Sequence, residues 1–279
     1  MTGGRRTSFL CPSCRRLLSA DEPVCPYCGM RNPSSGLLRL LMIGRRADWD
    51  PIRILIGTNV VFYVLSLLLN PMGTGLSMNP FTFLSPTSSS LFVLGATGTI
   101  PVEAYGRWWT LLSASFLHGG ILHILFNMMA LSQLGPFIRS EYGTARFLMI
   151  YLTGGAAGFF VSLLAGVPFT IGASASVCGL IGAILYYGKS RGGFYGQAVY
   201  RQSLGWILGL VLFGLLFPGI NNWAHGGGIV SGMAVGFLAG YEEKRSETFL
   251  HRALASAFAI LNAAVLAWAA VRALYIAFL

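Results

Sequence analysis

The stretch "TIGASASVCGLIGA", which runs from Thr170 to Ala183, raises the question that decides the fold and the function. It carries two serines and a cysteine among small apolar residues and contains no charge. The chain stays apolar on both sides, which is typical of a helix inside a lipid bilayer. A serine in such a place either lets helices pack closely or acts as a nucleophile where water is scarce.

The composition indicates a membrane protein. Of the 279 residues, 54% are hydrophobic and 10% are charged, with a mean hydropathy of +0.66, whereas about 25% of the residues of a soluble domain are charged. Apolar segments that approach the roughly 20-residue span of a bilayer predict seven helices. These are 52–70, 111–135, 147–166, 173–188, 203–219, 225–241 and 253–278.

The positions of the residues behind the formal charge of +10 indicate how the chain is oriented in the membrane. Nine of the 19 lysines and arginines precede residue 54, and most others fall between apolar segments. A cytoplasmic N-terminus and an outer C-terminus leave only Arg107 and Arg272 outside, as the preference for positive charge on the inside requires. Residues 1–36 contain no apolar core of a signal peptide. We expect a multi-pass protein of a bacterial inner membrane, with no nucleic-acid partner because no basic groove with aromatics is visible.

The N-terminal stretch "CPSCRRLLSADEPVCPYCG" contains two C-x2-C pairs, formed by Cys11, Cys14, Cys25 and Cys28. Two such pairs complete a tetrahedral site of four thiolates that suits Zn²⁺. Two disulfides or an iron site are the alternatives, and a cytoplasmic N-terminus disfavours the disulfides. Residues 1–31 resemble a short zinc ribbon with a structural Zn²⁺, and the spacing leaves open whether a cytoplasmic protein binds it. Residues 32–51 are interpreted as a linker and a basic membrane-surface segment.

Polar residues recur in "FLHGGILHILFNMMA", which contains His118, His123 and Asn127. His123 and Asn127 are four residues apart and therefore lie on one helix face. Two hydrogen-bond donors on one face could stabilise a developing oxyanion. They could equally join two membrane helices, and these residues alone leave both interpretations open.

The stretch "NNWAHGGGIVSGMAVGFLAG" places His225 at the start of a helix with Gly228, Gly232 and Gly236 on one face. Such a stripe lets another helix approach closely, and the segment after Gly172 is the natural partner. A serine hydroxyl would then lie within reach of the imidazole. No predicted span contains an acid in its interior, so a Ser–His dyad is expected. An H-E-x-x-H motif is missing from these spans too, so metal chemistry is not expected there.

Taken together, three ordered motifs resemble those of the rhomboid intramembrane serine proteases. They are H-x4-H-x3-N from His118 to Asn127, G-x-S from Gly172 to Ser174, and A-H-x-x-G from Ala224 to Gly228. The resemblance covers 52–241 and implies an all-α polytopic membrane fold with a six-helix core. Residues 242–279 would supply a loop and a seventh helix.

The resemblance assigns roles to individual residues. Ser174 would be the nucleophile and His225 the general base, while His123, Asn127 and the Ser174 N–H would form the oxyanion hole. Supporting positions would be His118, Gly172 and Gly228. Ser176 lies roughly 200° around the helix from Ser174 and cannot also face His225.

The resemblance also implies an endopeptidase that cleaves transmembrane helices near the outer leaflet and needs no cofactor. Two positions depart from the family: Cys178 stands where an aromatic residue is frequent, and Thr110 follows Trp109 where arginine is frequent. The alternatives are an inactive rhomboid-like protein that binds membrane clients, and a transporter. Such inactive relatives usually lack the serine or the histidine, and transporters usually show intramembrane acids or inverted repeats.

Overall fold

A computed structural model describes residues 8–11, 17–19, 22–27, 29–33, 50–70, 75–76, 83–217 and 219–278. The chain divides into two compact units, 1–50 and 51–279.

The N-terminal unit contains a small antiparallel sheet. Strand β1 (Ser8–Leu10) pairs with β2 (Leu17–Ser19). Cys11 and Cys25 are buried in one cluster with Leu18, against which Met30 packs. Cys14 and Cys28 lie outside the described residues, so the predicted four-thiolate site stays a prediction.

The second unit is built of helices. In the part of the chain that the structure describes, seven helices have 18 or more residues. They are α1 (Pro51–Leu68), α4 (Ile121–Tyr142), α5 (Thr144–Leu164), α6 (Ser174–Arg191), α7 (Gly193–Leu216), α8 (Asn222–Ala239) and α9 (Phe249–Phe278). Among these described helices, all but α6 and α8 are long and apolar enough to cross a membrane. Together with α5, these two pack most extensively on one another.

The second predicted helix, 111–135, is wrong as a single element. The chain forms a short helix α3 (Thr110–Ser113), a 3-10 turn (Ala114–Phe116) and then α4. Leu117 is extended, and Gly120 precedes α4 in an extended conformation with φ 167°. Glycine is a weak helix former, and the chain turns at Gly119 and Gly120 before α4 begins. His118 therefore lies in a connection rather than in a helix.

The segment between α1 and α4 has structure of its own. It contains a hairpin of β3 (Gly75–Leu76) and β4 (Phe83–Ser85), a helix α2 (Ser88–Leu94) and a π-helical turn (Ile100–Ala104). Thr87 caps α2 by accepting the Ser90 N–H, and Gly95 ends it at φ 109°, a left-handed conformation that glycine adopts without strain.

Arg107 fastens the end of this segment. Its guanidinium lies 4.4 Å from the centre of the Phe92 ring and 4.7 Å from that of Trp109. It donates hydrogen bonds to the carbonyl oxygens of Phe92 (2.7 Å) and Val93 (3.2 Å), which are C-terminal carbonyls of α2. Burial, and then the charge of Arg272, lower the pKa of Arg107 to about 10, so the group stays charged at neutral pH.

The segment is also attached to α9. The rings of Trp109 and Trp268 meet edge to face with centroids 4.7 Å apart. The hydroxyl of Thr110 lies 2.7 Å from the carbonyl oxygen of Arg107 and 3.0 Å from Thr97 Oγ1. Thr110, which departs from the family motif, is therefore buried and hydrogen-bonded at its position.

Candidate active site

Two helix starts meet at the centre of the site. Ser174 is the first residue of α6, and His225 lies in the first turn of α8. Ser174 Oγ is 2.9 Å from His225 Nε2, which is hydrogen-bond distance and lets a proton pass between the two groups. Both residues are only partly buried, so a reacting group can approach them.

Glycines allow this close approach. A Cβ atom on Gly228 would overlap the carbonyl oxygen of Ala175, and one on Gly232 would overlap that of Gly179. The backbones of α6 and α8 are therefore in direct contact along the predicted stripe. A larger residue at either glycine would push the helices apart and lengthen the distance from Ser174 to His225.

His123 lies close to Gly172 and Ser174. Its Nδ1 accepts the Gly119 N–H at 3.2 Å, so the neutral ring carries its proton on Nε2. A Cβ atom built on Gly172 would lie 2.7 Å from this Nε2 and 3.6 Å from Ser174 Oγ. Gly172 also has φ 124°, a conformation strained for other residues. Glycine is thus required at this position for two reasons, the conformation of the backbone and the closeness of the His123 ring. Because Gly172 has no side chain, there is space for His123 Nε2 beside Ser174 Oγ.

Asn127 follows His123 by one turn of α4 and is buried. Its Nδ2 donates to the carbonyl oxygen of His123 at 2.8 Å. An amide nitrogen carries two hydrogens, so this bond leaves one that can be donated to another acceptor.

His118 packs against His123 with ring centroids 5.0 Å apart in an edge-to-face arrangement. It is fully buried, and neither ring nitrogen has a hydrogen-bond partner among the described residues. Its ring therefore helps to fix the orientation of the His123 ring by packing.

Comparisons with known proteins cover the region that carries these residues. A family model described as "Rhomboid domain" matches residues 105–242. These residues, just under half of the chain, match the rhomboid domain. They contain α3 to α8 and each of the residues that form the site. Over residues 105–242 the match supports the predicted family, and the chain is a multi-pass membrane protein.

Relatives of the rhomboid domain occur in bacteria and plants. "Rhomboid protease GluP" of Bacillus subtilis (strain 168) is 33% identical over 148 residues, which are 53% of this chain and 29% of that protein. "RHOMBOID-like protein 6, mitochondrial" of Arabidopsis thaliana is 33% identical over 178 residues, which are 61% of this chain and 57% of that protein. "RHOMBOID-like protein 4" of the same plant is 34% identical over 162 residues, which are 56% of this chain and 40% of that protein. The chain spans less than two thirds of the length of each.

Within the rhomboid domain, Ser176 faces away from His225. A Cβ atom on Gly155 of α5 would overlap both Ser176 Oγ and Ser115 Oγ, so Ser176 points toward α5 and the turn after α3. Cys178 is buried and lies next to Gly228, where an added Cβ would be 3.2 Å from the cysteine Cβ. Cys178 thus fills space between α6 and α8.

The residues before Ser174 are fixed to the segment that precedes α4. Thr170 and Thr97 form an antiparallel bridge with two backbone hydrogen bonds of 2.7 and 3.1 Å. The Gly172 N–H donates to the carbonyl oxygen of Ala114 at 2.9 Å. These bonds orient the backbone that leads into α6, including the Ser174 N–H.

Proposed function

We propose that this chain is an intramembrane serine endopeptidase with Ser174 as nucleophile and His225 as general base. The contact of 2.9 Å between Ser174 Oγ and His225 Nε2 carries the proposal. It joins the two residues that the motifs single out, inside a domain whose relatives include a protein named as a rhomboid protease.

The reaction is acyl transfer. Ser174 Oγ attacks a peptide carbonyl carbon while His225 Nε2 takes the hydroxyl proton. The oxyanion that forms accepts hydrogen bonds from His123 Nε2, Asn127 Nδ2 and the Ser174 backbone N–H. His225 returns the proton to the leaving amine. A water molecule that gives a proton to His225 then attacks the acyl carbonyl carbon, and His225 returns this proton to Ser174 Oγ as the acyl–serine bond breaks.

The substrates are transmembrane helices. A helical carbonyl is hydrogen-bonded to the N–H four residues on, so the substrate must unwind near its outer end before Ser174 can attack. Substrates with glycine or proline near that end are favoured, because these residues weaken a helix. The lipid bilayer supplies both the substrate and the route of entry.

Labelling by a fluorophosphonate tests the proposal. Such a probe phosphonylates a serine whose hydroxyl is activated and releases fluoride, so a hydrolase is labelled, whereas a client-binding protein or a transporter is not. We expect one label per chain on the peptide that contains Ser174. Purified, folded protein that stays unlabelled would contradict the activity.

Asn127→Ala is expected to slow cleavage by a factor of about 10²–10³, the usual effect of removing one oxyanion donor. The melting temperature should change little, because the lost bond lies within one helix turn. Asn262→Ala is the matched control: Asn262 is also buried and donates to a carbonyl four residues earlier, at 2.9 Å, but lies in α9. A destabilised Asn127→Ala variant with normal turnover per folded molecule would instead indicate a structural role.

We also propose a structural zinc site at Cys11, Cys14, Cys25 and Cys28. The burial of Cys11 and Cys25 in one cluster supports it. Purified protein should contain about one zinc per chain, and Cys11→Ser or Cys25→Ser should lose it. Cys178→Ser, a change in the rhomboid domain, should retain the metal. Equal zinc content in all variants would rule out these ligands.

We propose that all seven long helices cross the membrane, with the N-terminus cytoplasmic and the C-terminus outside. The distribution of lysine and arginine supports this orientation. A reporter fused after Leu279 should therefore be accessible only from the side opposite the N-terminus. Accessibility on the same side would mean an even number of crossings.

A further inference from the structure

The helix starts that carry Ser174 and His225 are linked by another residue, Asn221. Asn221 is the N-cap of α8: its Oδ1 accepts the Ala224 N–H at 3.0 Å. Its backbone carbonyl oxygen accepts the His225 N–H at 3.1 Å. The backbone of His225 is therefore held directly by Asn221.

The nitrogen of the same side-chain amide bonds to residues near the segment that leads to Ser174. Asn221 Nδ2 donates to Ser162 Oγ at 2.6 Å and to Thr170 Oγ1 at 2.9 Å. Ser162 is fully buried near the end of α5, and Thr170 is buried in the connection that leads to Ser174. Both amide hydrogens and the amide oxygen are thus used, each by a different element.

Thr170 is a firm attachment point. Both its backbone N–H and its carbonyl oxygen are hydrogen-bonded to Thr97. Thr170 precedes Ser174 by four residues. Asn221 precedes His225 by the same number of residues. One side chain therefore joins the segments that enter α6 and α8, close to where their first residues must meet.

We propose that Asn221 is a positioning residue that holds His225 Nε2 at hydrogen-bond distance from Ser174 Oγ. This inference rests on the proposed function for its effect on catalysis. Asn221 acts through His225 and through Thr170 and does not touch the substrate. Small displacements of reacting groups are costly: a shift of about 1 Å can slow a reaction about 100-fold.

A role in positioning can be separated from a role as a helix cap. Asn221→Ser keeps a side-chain oxygen that caps the helix but is too short to reach Ser162 and Thr170. Asn221→Asp keeps the cap, and its second oxygen can accept hydrogen bonds from both hydroxyls. Serine thus removes only the link between the segments, and aspartate restores it.

The experiment compares these variants in the full chain by three measurements: the second-order rate of fluorophosphonate labelling, the melting temperature, and hydrogen exchange of peptides that cover residues 165–174. For Asn221→Ser we expect labelling that is between about 10- and 100-fold slower, faster exchange in that segment and a nearly unchanged melting temperature. Asn221→Asp should label faster than Asn221→Ser and exchange like the parent.

Different results overturn different claims. Parent-like labelling and exchange in Asn221→Ser would overturn the positioning role, as would a lower melting temperature with unchanged labelling per folded molecule. Asn221→Asp that is no faster than Asn221→Ser would also contradict it. A parent protein that does not label refutes the proposed function instead. The exchange measurement then still decides whether Asn221 fixes the segment before Ser174.

Discussion

Ser174→Ala is expected to lower the rate of substrate cleavage by more than about 10³-fold, because removal of a nucleophile alone costs nearly as much as removal of a whole catalytic unit. The fold should be retained, since the hydrogen bond described for Ser174 Oγ is the one to His225 Nε2. Cleavage of a purified transmembrane substrate and fluorophosphonate labelling, measured on the same detergent preparation, check this prediction.

Ser176→Ala is the matched control for this experiment. Ser176 lies on the same helix two residues later and is fully buried, but its hydroxyl faces Gly155 and Ser115. The variant should therefore retain most of the activity. Similar losses in both variants, with both proteins folded, would show that the reaction does not depend on the Ser174–His225 contact.

The contact between α6 and α8 was predictable from the sequence. Glycines at every fourth position of α8 and the small residues at the start of α6 are local patterns that permit and favour a close helix pair. The resemblance of the three motifs to those of the rhomboid proteases then implied which serine faces which histidine. Such patterns depend on a few neighbouring residues and can therefore be recognised without a structure.

The break before α4 was not predictable in the same way. The segment 111–135 is mostly apolar and carries no charge, and composition does not distinguish one helix from a short helix, a turn and a second helix. Gly119 and Gly120 were a signal, but glycine is also common inside membrane helices. The hydrogen bond from the Gly119 N–H to His123 Nδ1 fixes the turn, and it is visible only in the structure.

The contacts that Asn221 and Arg107 make could not be predicted from the sequence, because they are tertiary. An asparagine before an apolar helix is a cap signal, but nothing in the sequence indicates that its amide reaches Ser162 and Thr170. Arg107 lies three residues before the position at which the family motif leads one to expect arginine. Its contacts with Phe92 and Trp109 depend on how the preceding loop folds.

Gly232→Ala is expected to be the most destabilising single methyl addition in the domain. The new Cβ would overlap the carbonyl oxygen of Gly179 and would lie 2.6 Å from its carbonyl carbon. These are backbone atoms in the middle of a helix, so they cannot rotate away as a side chain could. Relief requires α8 to move away from α6, which breaks the packing around Gly228 and separates His225 from Ser174. We expect a loss in the free energy of unfolding of about 3 kcal/mol, the upper end of the usual cost of overpacking, and low activity in the remaining folded protein.

Gly226→Ala separates this effect from the general consequences of placing alanine in α8. Gly226 is exposed, lies on the same helix, and has no atom within 4 Å of its added Cβ. Alanine is favoured over glycine in a helix by about 0.5–1 kcal/mol, so this variant should melt at the parent temperature or slightly above it. Thermal unfolding of both variants in one detergent is the measurement. Because both changes add the same methyl group to the same helix, a large difference between them can arise only from the contact with α6. Equal melting temperatures would mean that the two helices can separate without cost, and close packing could then not be what brings His225 to Ser174.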